Sequence, residues 1–530
     1  MTGRAPIGIL CAALAALAAC DSPAAPPDGV EPVEQVPVVL ITLTGRATTR
    51  PPRTLHVSFA NAGTSFAQSF TLDEGATLPK TLSVTAPGRT GELAVDVVGE
   101  DAAGQAVARG RGTVALDAEH QTDLSVSLDP DDFVVNARTP ASQLLARNAD
   151  LAGRQVAVRP DGSSMLVWET DCDSATSCNI FARRLDATGQ PLASGDAAAT
   201  DDFVANRFVQ VARDPAVAAS AAGYLVTWAG AANVNNEFDI RATLLDAAGT
   251  IVADDVAVST DPAHEASATP FALADGSFVI VWARARDDGG TDLLARRITA
   301  QGQMGGTVVV VAAERGTRTR PHGVGLAKGN FALTWLHTET SGASNVHVRL
   351  YAPSGAPVSN DTAFTAYVTG SAAGVRALAT PDGGFAIAWQ AFDPADATLT
   401  TRPILMRLVD DAGTIGDEIR VSESSADGPQ VVPSLAVRPG DGALAVAWND
   451  SGASGDGNGL GVRYRVFAAQ GAPCGDALVA STTTLGDQLE ASLAPAGDGF
   501  LIGWTDASRS APDTDGNSVR ARFVYPSLCP

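Results

Sequence analysis

Beyond residue 131 one pattern of apolar and polar positions recurs along the chain. A short apolar run ends in tryptophan at Trp168, Trp228, Trp282, Trp335, Trp389, Trp448 and Trp504. The runs read SSMLVW, YLVTW, FVIVW, FALTW, FAIAW, LAVAW and FLIGW, and successive tryptophans stand 53 to 60 residues apart. A glycine lies five or six residues ahead of each one (Gly162, Gly223, Gly276, Gly329, Gly383, Gly442 and Gly499), with a further apolar stretch before it. After each tryptophan comes a polar loop. A second apolar stretch follows, in which an apolar residue and a glycine are nine apart in six repeats: Ile180/Gly189, Ile240/Gly249, Leu293/Gly302, Val346/Gly355, Ile404/Gly413 and Val462/Gly471. One more short strand closes the unit. The pattern predicts strand, tight turn, strand ending in tryptophan, long loop, strand, tight turn, strand. Four antiparallel strands repeated at a fixed period make a β-propeller, here with seven blades over 131–530.

The two ends of the repeat complement each other. The last unit stops after its third strand (SVRARFVYPSLCP), while DDFVVN at 131–136 resembles the fourth-strand segment DDFVAN at 201–206. A composite blade is expected, with Phe133–Asn136 as its outer strand, because closure removes open sheet edges. Ahead of it, residues 38–130 hold about seven alternating or β-branched runs between turn residues, such as VVLITLTG and GELAVDVVGE. These predict a β-sandwich of the fibronectin or immunoglobulin-like kind. The fold class is therefore all-β throughout.

Residues 1–20 (MTGRAPIGILCAALAALAAC) carry Arg4 and then a short apolar stretch too brief to span a bilayer, as in a cleaved export signal. The ending Leu17-Ala18-Ala19-Cys20 resembles the lipobox of bacterial lipoproteins. That resemblance implies cleavage before Cys20, lipidation of its thiol and attachment to the bacterial envelope. Residues 21–37 hold five prolines and four acids and read as an extended tether. Asp21 resembles an inner-membrane retention signal of enteric bacteria. That rule does not extend to other lineages, and the outer membrane or cell surface is the expected address. Cys172 and Cys178 fall in one loop and are expected to form a disulfide, leaving Cys474 and Cys529 for a second.

Composition narrows the function. The 530 residues carry a formal charge of −23, which argues against nucleic acid as a partner. Beyond the N-terminus no segment is apolar enough to suggest a membrane-spanning helix. Six of the seven third strands place arginine at one position (Arg183, Arg296, Arg349, Arg407, Arg465 and Arg522), with Thr243 as the exception. A residue present in almost every repeat reads as blade architecture, each arginine facing its blade's tryptophan or paired with an acid, and the seven tryptophans read as packing between sheets. The loops after the tryptophans all have a net negative charge and form one acidic face, where the partner is expected: an envelope or extracellular protein or glycan. Asp513, Asp515 and Asn517 resemble the start of a calcium loop, and Asp287, Asp288 and Asp292 form a second acidic cluster, so calcium is the cofactor considered.

The unit GGFAIAW…ILMRLVDDAGTIGDEIRVS resembles a repeat of large bacterial exported proteins, over about 400 residues. Most proteins with that repeat are adhesion or surface proteins, and the resemblance says nothing about activity. There is no G-x-S-x-G, H-E-x-x-H or phosphate-binding glycine loop, and inner-strand segments such as VAVRP, PAVAAS, GVGLA and SLAV lack acids. No catalytic residue is assigned. The expected function is a non-enzymatic binding or adhesion module anchored to the envelope; the alternative is a propeller enzyme acting on envelope or environmental glycans. Replacing Cys20 (Cys20→Ser) should abolish metabolic labelling with radioactive palmitate and move the chain from the membrane to the soluble fraction on centrifugation.

Overall fold

A computed structural model describes residues 8–9 and 37–525, apart from 10–36, 47–48, 50, 88, 103, 118–119, 139–141, 146–152, 171–177, 200, 208–210, 232–236, 312–315, 366–370, 393–401, 423–430 and 452–458. The chain divides into two compact units, Met1–Asp131 and Asp132–Pro530. Among the described residues every regular element is a strand.

In the first unit the expected runs are strands: Val38–Gly45, Thr54–Asn61, Thr64–Thr71, Lys80–Thr85, Gly91–Glu100, Ala106–Leu116 and Thr122–Pro130. Alternation explains their burial, since successive side chains point to opposite faces. Val39, Ile41 and Leu43 are fully buried while their neighbours are not. Hydrogen bonds join the strands in one path, in which Val38–Gly45 runs parallel to Thr122–Pro130. Residues from both halves of that path, including Val39, Val84, Phe59 and Val95, share one core. Gly8–Ile9, inside the expected signal, pairs with Val84 and Thr85.

The second unit is a propeller of seven blades, two of which are joined by a single parallel pair between Ser344 and Ser371. Each tryptophan lies on the second strand of its blade and is fully buried. These strands are sandwiched between neighbouring blades, which is why they read as continuous apolar runs rather than alternating ones. Gly223–Ala231 is buried along its whole length. Alternation still decides direction: Tyr224, Val226 and Trp228 pack toward the first blade, Leu225 and Ala229 toward the third. The same holds around the ring. Each tryptophan sits in the cluster shared with the preceding blade: Trp168 with Val519 and Phe523, Trp282 with Leu225 and Ile240, Trp335 with Val281, Trp389 with Val346, Trp448 with Ile404, and Trp504 with Val462.

Two glycines read from sequence as turn residues do something else. Gly223 and Gly499 begin the second strands of their blades. A Cβ there would stand 2.0 Å from the Leu245 carbonyl oxygen or 2.3 Å from that of Val524. Close backbone approach, and not only turn conformation, excludes a side chain at these positions.

The ring closes as the two chain ends suggested. Phe133–Val134 pairs with Ala521 and Arg520 as the fourth strand of the last blade. Asp132 anchors this seam. Its carboxylate accepts hydrogen bonds from the Thr482 and Thr483 backbone N–H groups (2.8 and 2.7 Å) and from Arg520 Nη1 (2.8 Å), and Arg520 also reaches Asp506 (2.8 Å). Burial on its own raises the carboxyl's pKa. The Arg520 charge and the threonine bonds outweigh that and hold it below the ordinary 3.8. Asp132 therefore contributes stability above about pH 3.8 that is lost as the pH falls below that value. Asp132→Asn should cost about 3 kcal/mol at pH 7, since it leaves a buried guanidinium with one partner fewer. The difference in thermal midpoint from the parent, followed by circular dichroism, should shrink as the pH is lowered through 3.8 toward 2.5.

Candidate functional site

The residues singled out in the sequence fall into three groups. The tryptophans are all at 0% exposure, so none offers a stacking platform to a ligand. The arginines do not face their tryptophans. Each third-strand position pairs with the residue two before the tryptophan, as Arg296 does with Ile280 while Trp282 faces Leu294. From there the side chain crosses to the preceding blade and donates to a fourth-strand carbonyl: Arg296 to Val258 (2.6 Å), Arg407 to Phe364 (3.2 Å), Arg465 to Val421 (3.2 Å) and Arg522 to Ala480 (2.9 Å). Thr243, the exception in sequence, makes the same link, its hydroxyl donating to the Ala205 carbonyl at 3.2 Å. Arg183 instead pairs with Asp202, and Arg349 donates to the Ser359 carbonyl. In five of the seven blades the position is a staple to the preceding blade, and a guanidinium or a hydroxyl can make it because both are donors.

The carboxylates considered for calcium meet protein donors. Asp292 is held by Arg284 and Arg286, Asp288 by Arg286, and Asp287 is exposed. Asp513 accepts from Asn136 Nδ2 at 2.7 Å and from the Asp515 backbone N–H at 3.1 Å, while the Asn517 backbone donates to Ser142. His337 and His347 stack with centroids 5.0 Å apart, and His347 Nδ1 is engaged by Asp361 at 2.7 Å. Among the described residues no three His, Cys, Asp or Glu side chains converge to hold a metal. Cys178 is buried, while Cys172 and Cys529 lie outside the described residues. Part of the acidic loop face (171–177, 232–236, 393–401 and 452–458) lies outside them as well.

The geometry that the sequence reading missed is in the central channel. The inner strands of the blades enclose a cavity of about 240 Å³. Its walls are small and apolar, including Ala219, Ala272 and Ala379, and they run to the last strand residues before the tight turns. Polar groups break this wall at one end. Seven residues ahead of its turn glycine the fourth blade places His322, and the fifth blade has Arg376 at the matching position; other blades have Ala216 and Thr269 there. Arg154 enters from the first blade and donates from Nη2 to the Leu435 carbonyl at 3.1 Å. Withdrawn from bulk water and facing the Arg376 charge, Arg154 is pushed down to about 10. Burial first, then the charges of Arg376 and Arg154, holds the His322 ring well below its usual 6.5, so it is neutral at pH 7. The Ala377 N–H points at His322 Nδ1 at 3.4 Å, which leaves the hydrogen on Nε2, and Nε2 has no partner among the described residues.

The inner strands also carry acids that the short segments did not reveal, because the strands extend further. Asp214 lies in Val211–Ser220 and Glu490 in Gln488–Ala496, each within a β-bulge and at positive φ. Glu265 begins Glu265–Ala272 and accepts from the Trp282 indole at 2.7 Å. None of the three lines the cavity. Aligning the repeats on their turn glycines does not single these residues out, because Gln155 and Leu435 take the matching position in the first and sixth blades.

No protein-family model matches the chain, and no curated protein does. Among solved structures it is similar to a protein of unknown function from Dyadobacter fermentans (9% identity, 74% of this chain and 98% of that one, TM-score 0.43). It is also similar to a polysaccharide lyase of family 25, an ulvan lyase (8%, 74% and 94%, TM-score 0.45), and to an α-L-arabinofuranosidase of Fusarium graminearum (12%, 58% and 90%, TM-score 0.39). At these values no residue role passes from them to this chain. The expectation of a chain without enzymatic activity is nonetheless corrected. The solved structures it resembles include hydrolases and a lyase of glycans, and the lack of a recognised motif in one sequence does not exclude catalysis on a propeller.

The buried neutral imidazole has a measurable consequence. With its folded pKa far below 6.5, His322 takes up a proton more readily in the unfolded chain, so stability falls as the pH drops below 6.5. Between pH 7.5 and 5 the thermal midpoint of the parent should fall more steeply than that of His322→Gln, measured by calorimetry in one ionic strength.

Proposed function

We propose that this chain is an exported bacterial lipoprotein whose propeller acts on envelope or environmental glycans, taking them at the central channel. The observation that carries the reading is the channel cavity itself, an apolar-walled chamber with polar groups from only a few blades. A repeated scaffold supplies the same residue at every blade, and a ligand site needs the exceptions. Pockets of this character, mostly apolar with a few placed polar groups, are where ligands bind. The lipidated Cys20, the tether over 21–37, a fibronectin-like sandwich over 38–130 and the disulfides Cys172–Cys178 and Cys474–Cys529 belong to the same proposal. They rest on the sequence features described above. An anchored, exported chain meets polysaccharide outside the cell, and polysaccharide is the substrate class named for the lyase above.

The test uses the full chain in detergent against a panel of acidic and neutral polysaccharides. Binding is followed by calorimetry and chain shortening by size-exclusion chromatography. At least one polysaccharide should bind and be shortened. Ala219→Trp and Ala379→Trp, which place a large ring in the cavity from partly exposed wall positions, should each weaken that binding at least tenfold at an unchanged thermal midpoint. Binding that survives both substitutions would move the site out of the channel.

A further inference from the structure

Resting on the channel reading, we propose that the group admitted to the cavity is the carboxylate of a sugar acid, held by Arg154 and by the Nε2–H of His322. The cavity holds cationic and neutral donors and, among its lining residues, no carboxylate. Arg154 spends one of its five N–H groups on the Leu435 carbonyl, and no ion pair to it is found among the described residues. His322, at 5% exposure, lines the cavity with Nε2 unbonded. A buried donor without an acceptor costs roughly 1–3 kcal/mol, a cost that a bound oxygen removes. The walls supply no acceptor side chain, so the acceptor comes with the ligand.

The chemistry of the two donors selects the anion. A guanidinium presents a planar fork that matches a carboxylate, and a neutral imidazole donates one hydrogen along a fixed direction. Because Nδ1 faces the Ala377 N–H, the ring keeps its hydrogen on Nε2 without taking up a second proton. Arg376, in contact with its own Val375 carbonyl, adds positive potential to the same end of the cavity. The apolar remainder of the wall, from Ala219 to Ala379, faces the carbon skeleton of the sugar ring. A uronate residue combines these features: a ring the size of the chamber and one planar carboxylate on its edge.

The probe is oligogalacturonate, compared with the same oligomer after its carboxyl groups are reduced to alcohols, with monomeric galacturonate and acetate as further arms. Calorimetry on the full chain in detergent at low and moderate salt should show the acid oligomer binding at least tenfold more tightly than its reduced form, and weakening with salt. Galacturonate should bind where acetate does not, which assigns the carboxylate to a sugar. Arg154→Met should lose at least tenfold. His322→Leu, close in volume and without a donor, should lose several-fold, and His322→Gln, which keeps an N–H donor, should recover part of that loss. Thermal midpoints of all three variants separate loss of a contact from loss of the fold. Equal binding of the acid and reduced oligomers, abolished by Ala219→Trp, would overturn the carboxylate inference while leaving the channel as the glycan site. Unchanged affinity in both Arg154→Met and His322→Leu would overturn it as well.

Discussion

The wedge of a tryptophan between each blade and the one before it is the contact on which the propeller depends. A blade's second strand has two buried faces, and only a neighbour on each side can cover them. An indole is the largest side chain available for that gap, and burying or removing one is worth about 3–5 kcal/mol. Because the wedge always points to the preceding blade, the interfaces form a directed ring in which no blade is self-sufficient. The arginine staple at the matching position of the third strand runs in the same direction, from side chain to the carbonyl of the preceding blade. Apolar filling and polar satisfaction thus repeat together, since a fourth-strand carbonyl at the seam would otherwise be buried without a donor.

A ring with this logic has one weak place, where the chain begins and ends. Asp132, Arg520, Asp506 and the two threonines at 482–483 concentrate several charge-assisted hydrogen bonds there, and Asp202 repeats the arrangement at the next blade, accepting from the Ala137 and Arg138 backbone N–H groups and from Arg183. The fourth strand of the last blade has two residues in regular pairing, as have those of the fourth, fifth and sixth blades. The stacked Phe133–Phe523 pair adds an apolar contact to it.

Architecture and function occupy different residues. Whatever recurs at each blade serves the scaffold, and the buried tryptophans and bridging arginines are examples. The channel differs because it is the one surface to which every blade contributes yet which no blade covers. There a change in a single repeat is free of the packing constraint, and His322, Arg376 and Arg154 are such changes. The depressed basicity of His322 follows from that placement: apolar walls remove water, and neighbouring guanidinium groups disfavour a further positive charge.

Blade number, strand order, the tryptophan seams and the composite closure were legible in the sequence, because a period of about 56 residues and an alternation of faces are one-dimensional signals. So was the location of the tight turns, save at Gly223 and Gly499, where a close carbonyl rather than a turn excludes a side chain. The arginine's partner was not legible. It lies on another blade, roughly 40 residues away in sequence, and only the stacking of sheets brings its carbonyl into reach. Nor was the cavity. Arg154, His322 and Arg376 come from three blades and are more than 50 residues apart in the chain, and no local pattern marks residues whose common property is to face one axis. Sequence alone determined what repeats, since repetition is local chemistry copied along the chain. Closure of the ring decided what converges, since convergence on an axis exists only once the blades have packed around it.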